Sequence, residues 1–317
     1  MNNQPKPKIL ICGGAGYIGG YLTDLLQYNK YDVTVYDNLV YESRFMKKVP
    51  FIFGDIRDQA KLSQIVNDYD IIIWLAALVG DGACAKNSLV TDDINFNTVD
   101  WLTKNYTGKI IFMSTCSVYG VNNDLLDETS PVNPLSYYAE SKLKAEQSVI
   151  ARSDNHLVFR LGTLHGLGDK HSRIRLDLVV NKLTKKAVYK EPLVVFGGGQ
   201  WRPLLHVKDV SRAILFSIQN DIKGLYNVSH KNYKICDIAR EIQSVIPGVN
   251  VSYANIKFED LRNYKASSAK FKALGWQPKY DLRYGIQEIY QTIKDSRIKD
   301  PDNIIYSNAD FINEKII

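Results

Sequence analysis

The sequence predicts an α/β protein: a doubly wound parallel sheet with a smaller C-terminal α/β lobe. Three observations carry that prediction. Apolar, β-branched runs alternate with helical patterns through the first half of the 317 residues. Those runs are near-continuous rather than alternating in polarity, as strands covered on both faces are. The first run leads directly into a glycine-rich turn that opens a helix.

The elements follow in order. "KILICGG" reads as a strand and "YIGGYLTDLLQYN" as a helix. "YDVTVYD" and "VPFIFGD" are the next strands, with "RDQAKLSQIVND" helical after them. "DIIIWLAA" is a buried strand running into a loop; at ten residues "IIIWLAALVG" (71–80) is too short to span a bilayer. A helix near "DINFNTVDWLTKN", the strand "KIIFMST", a helix around "YYAESKLKAEQ" and the strand "HLVFRLG" complete the repeat. From about residue 163 the pattern loosens into the helix-like "IRLDLVVNKLTKKAVY", the turn "FGGGQWRP", the helix "HVKDVSRAILFSIQ" and one more strand, "YNVS". Further helices are expected near 234–246, 268–274 and 282–295, and the tail "DPDNIIYSNADFINEKII" carries no pattern.

The totals set bounds. Hydrophobic residues are 45% and charged residues 23%, ordinary for a soluble enzyme. The net charge of +6 is spread along the chain, so neither a nucleic-acid nor a membrane partner is expected, and an anionic small substrate is compatible. The four cysteines, Cys12, Cys84, Cys116 and Cys236, form no C-x-x-C pair, which predicts a reduced cytoplasmic protein with no disulfide or metal framework. The opening "MNNQPKPK" has no apolar core, and no signal peptide is expected there.

The glycine turn carries the first chemistry. "ILICGGAGYIGGYL" holds Gly13-x-x-Gly16-x-x-Gly19 between the first strand and the first helix. Glycines there let backbone amides close on a pyrophosphate at a helix N-terminus, where donors and dipole both favour an anion. Asp37 follows the second strand, 21 residues beyond Gly16, where an acid holds the adenosine ribose hydroxyls. A carboxylate there would repel a 2′-phosphate, which argues for NAD over NADP. Residues 1–165 are read as this dinucleotide-binding domain, with 205–230 returning to its sheet and 166–317 mainly a substrate-binding lobe.

The second chemistry lies in "YYAESK". Tyr138 and Lys142 are four apart and share one face of a helix, whereas Tyr137 is out of register with the lysine. A phenol with a pKa of about 10 is a poor base at neutral pH, and a neighbouring ammonium makes it a better one.

Taken in order, "GGAGYIGGYL", "VYDNL", "GDIRD" (54–58), "LAA" (75–77), "STCSVYG" (114–120), "YAESK" (138–142), "QWRPLLHVKDV" (200–210) and "LGWQPKYDLRYGI" (274–286) resemble the extended branch of the short-chain dehydrogenase/reductase superfamily. That branch is the NAD-dependent epimerase/dehydratase family, Rossmann-type enzymes acting on nucleotide sugars. The resemblance implies roles. Gly13, Gly16, Tyr17 and Ile18 would face the cofactor pyrophosphate, Asp37 and Asn38 the adenosine ribose, and Asp55 and Ile56 the adenine. Leu75, Ala76 and Ala77 would pass beside the cofactor; Asn95 would support that loop or act as a helix N-cap. Tyr138, Lys142 and Thr115 would be catalytic, with the lysine also on the nicotinamide ribose. Thr163 would contact substrate, and Arg202, Arg262 and Arg175 are candidates for its diphosphate; Arg173 and Arg175 would also suit a solvated helix start. Cys116 would lie beside the substrate or be a small packed side chain.

The resemblance also separates reactions. The 4,6-dehydratases of the family carry an Asp-Glu pair after the threonine, where this chain has Cys116 and Ser117. "RLGTLHG" places Thr163 and His165 where many relatives have Asn and Tyr. "VGDGACAKNS" and "SRIRLDLVVN" resemble a bacterial subgroup that includes GDP-heptose 4-dehydrogenases. The expectation is a nucleotide-sugar epimerase acting through transient C4 oxidation, with a 4-dehydrogenase or ketoreductase as the alternative and a 4,6-dehydratase or non-catalytic NAD-binding regulator behind them. A homodimer is implied, paired through the helix near 95–105 and the Tyr138 helix, with Val99, Trp101 and Leu102 as its apolar support.

Overall fold

The computed structural model describes residues 6–314, apart from 153, 170 and 255–262. Five strands open the chain: β1 (Lys8–Cys12), β2 (Asp32–Asp37), β3 (Phe51–Phe53), β4 (Ile71–Trp74) and β5 (Lys109–Thr115). Then come β6 (Val121–Leu126), β7 (His156–Leu161), β8 (Thr163–His165), β9 (Leu193–Phe196), β10 (Trp201–His206), β11 (Gly224–Val228), β12 (Lys231–Lys234), β13 (Val251–Ala254) and β14 (Asn263–Ala266). Seven of them form one parallel sheet in the order β11-β7-β5-β4-β1-β2-β3.

The apolar runs explain that sheet. Ile9, Ile11, Val33, Val35, Ile71 and Ile73 point to one face, where Leu22 and Leu26 of the helix Gly19–Tyr28 meet them. Leu10, Cys12, Ile72, Trp74, Ile110 and Phe112 point to the other, against Val99, Leu102, Ala145 and Val149. Successive side chains alternate between two dry faces, so the strand must be apolar throughout. Strand order reverses between β1 and β4, and a doubly wound sheet opens a crevice at such a point.

Val99 and Leu102 are therefore core residues, fully buried in their own chain, and Trp101 packs against the same cluster. Val99 and Leu102 therefore offer no dimer surface, while Trp101 is only partly buried.

The second half holds smaller sheets, β12-β10-β8, β13-β9 and β14-β6, around a core that includes Val180, Leu204, Ile238, Ile242 and Ile286. The helix Val207–Gln219 and β11 return to the main sheet. One expectation needs correction. The segment "IRLDLVVNKLTKKAVY" is helical only over Val179–Val188, with Leu178 extended before it. His165 lies on β8, wholly buried, with neither ring nitrogen hydrogen-bonded, and burial holds its pKa well below the usual value. Among the described residues no helix is long and apolar enough to cross a membrane, and the four cysteines are free thiols.

Candidate active site

A cavity of about 310 Å³ opens where the loops after β1, β2, β4 and β5 converge. Its floor is the glycine turn. Gly13 has φ +84°, and a Cβ there would stand 2.5 Å from the Ala76 amide nitrogen. The turn is thus pressed against the loop after β4, whose Leu75 and Ala76 amides both donate to the Cys12 carbonyl. At Gly16 a Cβ would meet only the Gly13 carbonyl, at 3.2 Å, so that position opens to the cavity. The helix it leads into has no side-chain cap and no acid in its first turn. Its free amides and dipole suit an anion, so these residues fit a dinucleotide diphosphate. Gly13→Ala is expected to destabilise the protein by about 2–4 kcal/mol, combining a strained φ with a backbone clash, and thermal unfolding of the cofactor-free variant measures it.

Asp37 closes the far end. Its carboxylate accepts from the Ala15 amide at 3.0 Å and the Leu39 amide at 2.8 Å. Burial raises its pKa against those donors. Asn38 donates to Asp55 at 3.1 Å, and Arg57 grips Asp55 with both Nε and Nη2, holding its carboxyl down to about 2. Gly13, Gly16, Tyr17, Ile18, Asp37, Asn38, Asp55, Ile56, Leu75, Ala76 and Ala77 all line the cavity. Asn95 does not; it lies buried beneath the loop, bonding the Leu78 amide at 2.7 Å, the Leu78 carbonyl at 3.0 Å and Ser141 at 3.1 Å. It clamps that loop to the Tyr138 helix and caps no helix.

The opposite wall carries Thr115, Tyr138 and Lys142. Tyr138 and Lys142 stand one turn apart on the helix Tyr137–Arg152, and the Tyr138 phenol meets the Thr115 hydroxyl. Tyr137, 51% exposed, lies outside the cavity lining. Burial pushes the Tyr138 phenol up, and Arg175 and Thr115 counter part of that shift. Burial also pushes the Lys142 ammonium down, to about 7. Its Nζ lies 4.0 Å from the centroid of the Phe112 ring. Beneath the helix, Glu146 joins Arg160 at 2.6 Å and Ser114 at 2.6 Å, bracing the end of β5.

The substrate residues divide. Thr163 and Arg175 line the cavity. Arg175 is bidentate with Asp177, at 2.9 and 2.8 Å, on a segment without regular structure ahead of the helix Val179–Val188. Cys116 is not in the lining: it is fully buried, with its thiol 3.2 Å from the Arg160 carbonyl, because the chain turns Thr115 and Ser117 toward the cavity and the residue between them away. Arg202 is also outside the lining, buried, with Nη1 on the Trp201 carbonyl. Arg262 lies outside the described residues. Ser117, Tyr264, Tyr41, Glu42, Arg173 and Asn308 line the cavity unforeseen as site residues. Asn308 had no signal, since it sits in the patternless tail and enters through contacts with Val79 and Asp177.

Comparison with known proteins accords with this geometry. The model of the NAD dependent epimerase/dehydratase family matches residues 9–229. A putative UDP-glucose 4-epimerase of Methanocaldococcus jannaschii is 28% identical, over 91% of this chain and 99% of that protein. A UDP-N-acetyl-alpha-D-glucosaminuronate decarboxylase of Bacillus cytotoxicus is 25% identical over 92% and 98%. The X-ray structure of Pal from Bacillus thuringiensis superimposes with a TM-score of 0.80 at 26% identity, covering 91% of this chain and 99% of Pal. The chain belongs to the NAD-dependent epimerase/dehydratase family, and NAD is its cofactor.

Proposed function

We propose that this protein is a nucleotide-sugar 4-epimerase that works through transient oxidation at C4. The observation that carries the reading is that Thr115, Tyr138 and Lys142 line the same cavity as the glycine turn. The turn from Gly13 to Ile18 would hold the cofactor diphosphate, Asp37 the adenosine ribose, and Lys142 the nicotinamide ribose. Bound there, NAD would supply the hydride acceptor and donor for the sugar carbon.

The chain's own groups manage the proton. Tyr138 Oη accepts the proton of the C4 hydroxyl as that carbon is oxidised, and gives it back on reduction. The Thr115 hydroxyl hydrogen-bonds the reacting oxygen. Lys142 as an ammonium stabilises the phenolate, and the phenolate in turn favours the ammonium, so the two charges form together. Epimerisation needs no further acid: the keto sugar turns in the pocket and hydride returns to its other face. The lack of a carboxylate at 116 and 117 supports epimerisation over dehydration, since elimination needs an acid and a base beside the threonine.

Incubation with UDP-, GDP-, CDP- and dTDP-sugars plus NAD tests the reading. Proton NMR is expected to show one sugar inverted at C4 with no net rise in absorbance of reduced nicotinamide. A stoichiometric rise with a 4-keto product would assign a net dehydrogenase instead.

A further inference from the structure

Among the described residues two guanidiniums line the cavity, and only one of them has a carboxylate. Arg175 is paired with Asp177. Arg173 is 6% exposed, and its Nε has no hydrogen-bond partner. Its Nη2 reaches the Ile305 carbonyl, at 3.3 Å, and its Cζ lies over the Tyr41 ring, 3.5 Å from the centroid. Among the described residues no carboxylate pairs with it. Burial and the like charge of Arg175 push its pKa down to about 10, so it stays a cation at neutral pH. A buried charge without a counter-ion is costly, and a guanidinium fork matches phosphate oxygens.

Asp37 and Glu42 feel the charge of Arg173, while Tyr17 and Tyr138 feel that of Arg175. A Cβ at Gly20, in the first turn of the helix after the glycine turn, would stand 2.3 Å from Ser172 Oγ, so the segment that carries the two cations begins against that turn. The C-terminal segment holds them there. The Leu176 amide donates to the Tyr306 carbonyl at 2.9 Å, and the Asn308 amide to Asp177 at 2.9 Å. The Asn308 side chain reaches the Val79 carbonyl at 2.7 Å, and the Phe311 ring lies 5.1 Å from that of Tyr41.

We propose that Arg173, fixed beside Tyr41 by the C-terminal segment, binds the diphosphate of the NAD cofactor together with the glycine turn. This rests on NAD lying along the cavity, and not on the 4-epimerase assignment. The same chemistry could serve the diphosphate of the sugar substrate, so the test separates the two sources.

Cofactor-free, full-length protein and its Arg173→Met variant are titrated calorimetrically with NAD, adenosine, UDP and GDP. The expected result is an NAD Kd raised by about 10- to 100-fold, with adenosine, UDP and GDP each within about two-fold. Weakening of UDP or GDP with NAD unchanged would move Arg173 to the substrate. Equal weakening of NAD and adenosine, or no change in either, would also overturn the proposal. Should the variant fail to fold, Arg173→Lys and the salt dependence of the native protein decide it. NAD affinity is expected to fall between about 0.05 and 0.5 M salt while that of adenosine holds, and an NAD affinity indifferent to salt contradicts the proposal.

Discussion

Replacing Tyr138 with Phe is expected to lower turnover by about 10²–10⁴-fold while leaving NAD affinity within a few-fold. The change removes one oxygen, the only one on that ring able to exchange a proton with the substrate hydroxyl. Packing changes little, since the aromatic ring, packed against the cluster of Leu78, Ala83 and Cys84, is kept. Tyr137→Phe is the control. That ring is 51% exposed and off the cavity, so its loss should leave turnover within about two-fold. Steady-state rates on the sugar identified by the panel decide between the tyrosines. Equal loss in both variants would show that the site does not depend on the Tyr138 hydroxyl.

Lys142→Met is expected to make the cofactor-free protein more stable and turnover far slower. Lys142 is 3% exposed, and its ammonium has no carboxylate partner among the described residues. Burial takes its pKa from 10.5 to about 7. Between those values the unfolded chain holds a proton that the native state does not. Native stability therefore rises with pH across the window, and the full penalty is felt below about 7. A methionine of similar reach removes the penalty. The contact with the Phe112 ring offsets part of it, which leaves an expected gain of about 2–4 kcal/mol at pH 6 that disappears toward pH 10.5. Urea unfolding at pH 6, 8 and 10 measures it. A variant less stable than the parent at pH 6 would mean that the amine is not penalised by its surroundings. A residue that lowers stability where it sits, on the wall of the cavity, is one retained for activity.

What was legible in the sequence followed from short-range physics. β1, β2, β4 and β5 announce themselves because both faces of each are dry, and the glycine turn because only that backbone can approach Ala76. The Tyr138–Lys142 relation follows from helix geometry alone. What was hidden depends on partners far away in the chain. Apolar spacing in "IRLDLVVN" suggests a helix, yet Arg175 and Asp177 lie outside any helix, with Asp177 held by Arg175 on one side and by Asn308, 131 residues on, from the other. Cys116 adjoins Thr115 in sequence but turns toward Arg160, which alignment by motif cannot reveal. Arg173 is ambiguous in sequence and becomes a candidate ligand only once Ile305 and Tyr41 are seen around it.

One experiment bears most directly on the 4-epimerase reading: conversion of a nucleotide sugar carrying deuterium at C4, followed by NMR. Return of the same hydride predicts a C4-inverted product that keeps its deuterium at C4, with no label in solvent and no accumulated reduced cofactor. Deuterium found on reduced nicotinamide beside a 4-keto sugar would contradict it.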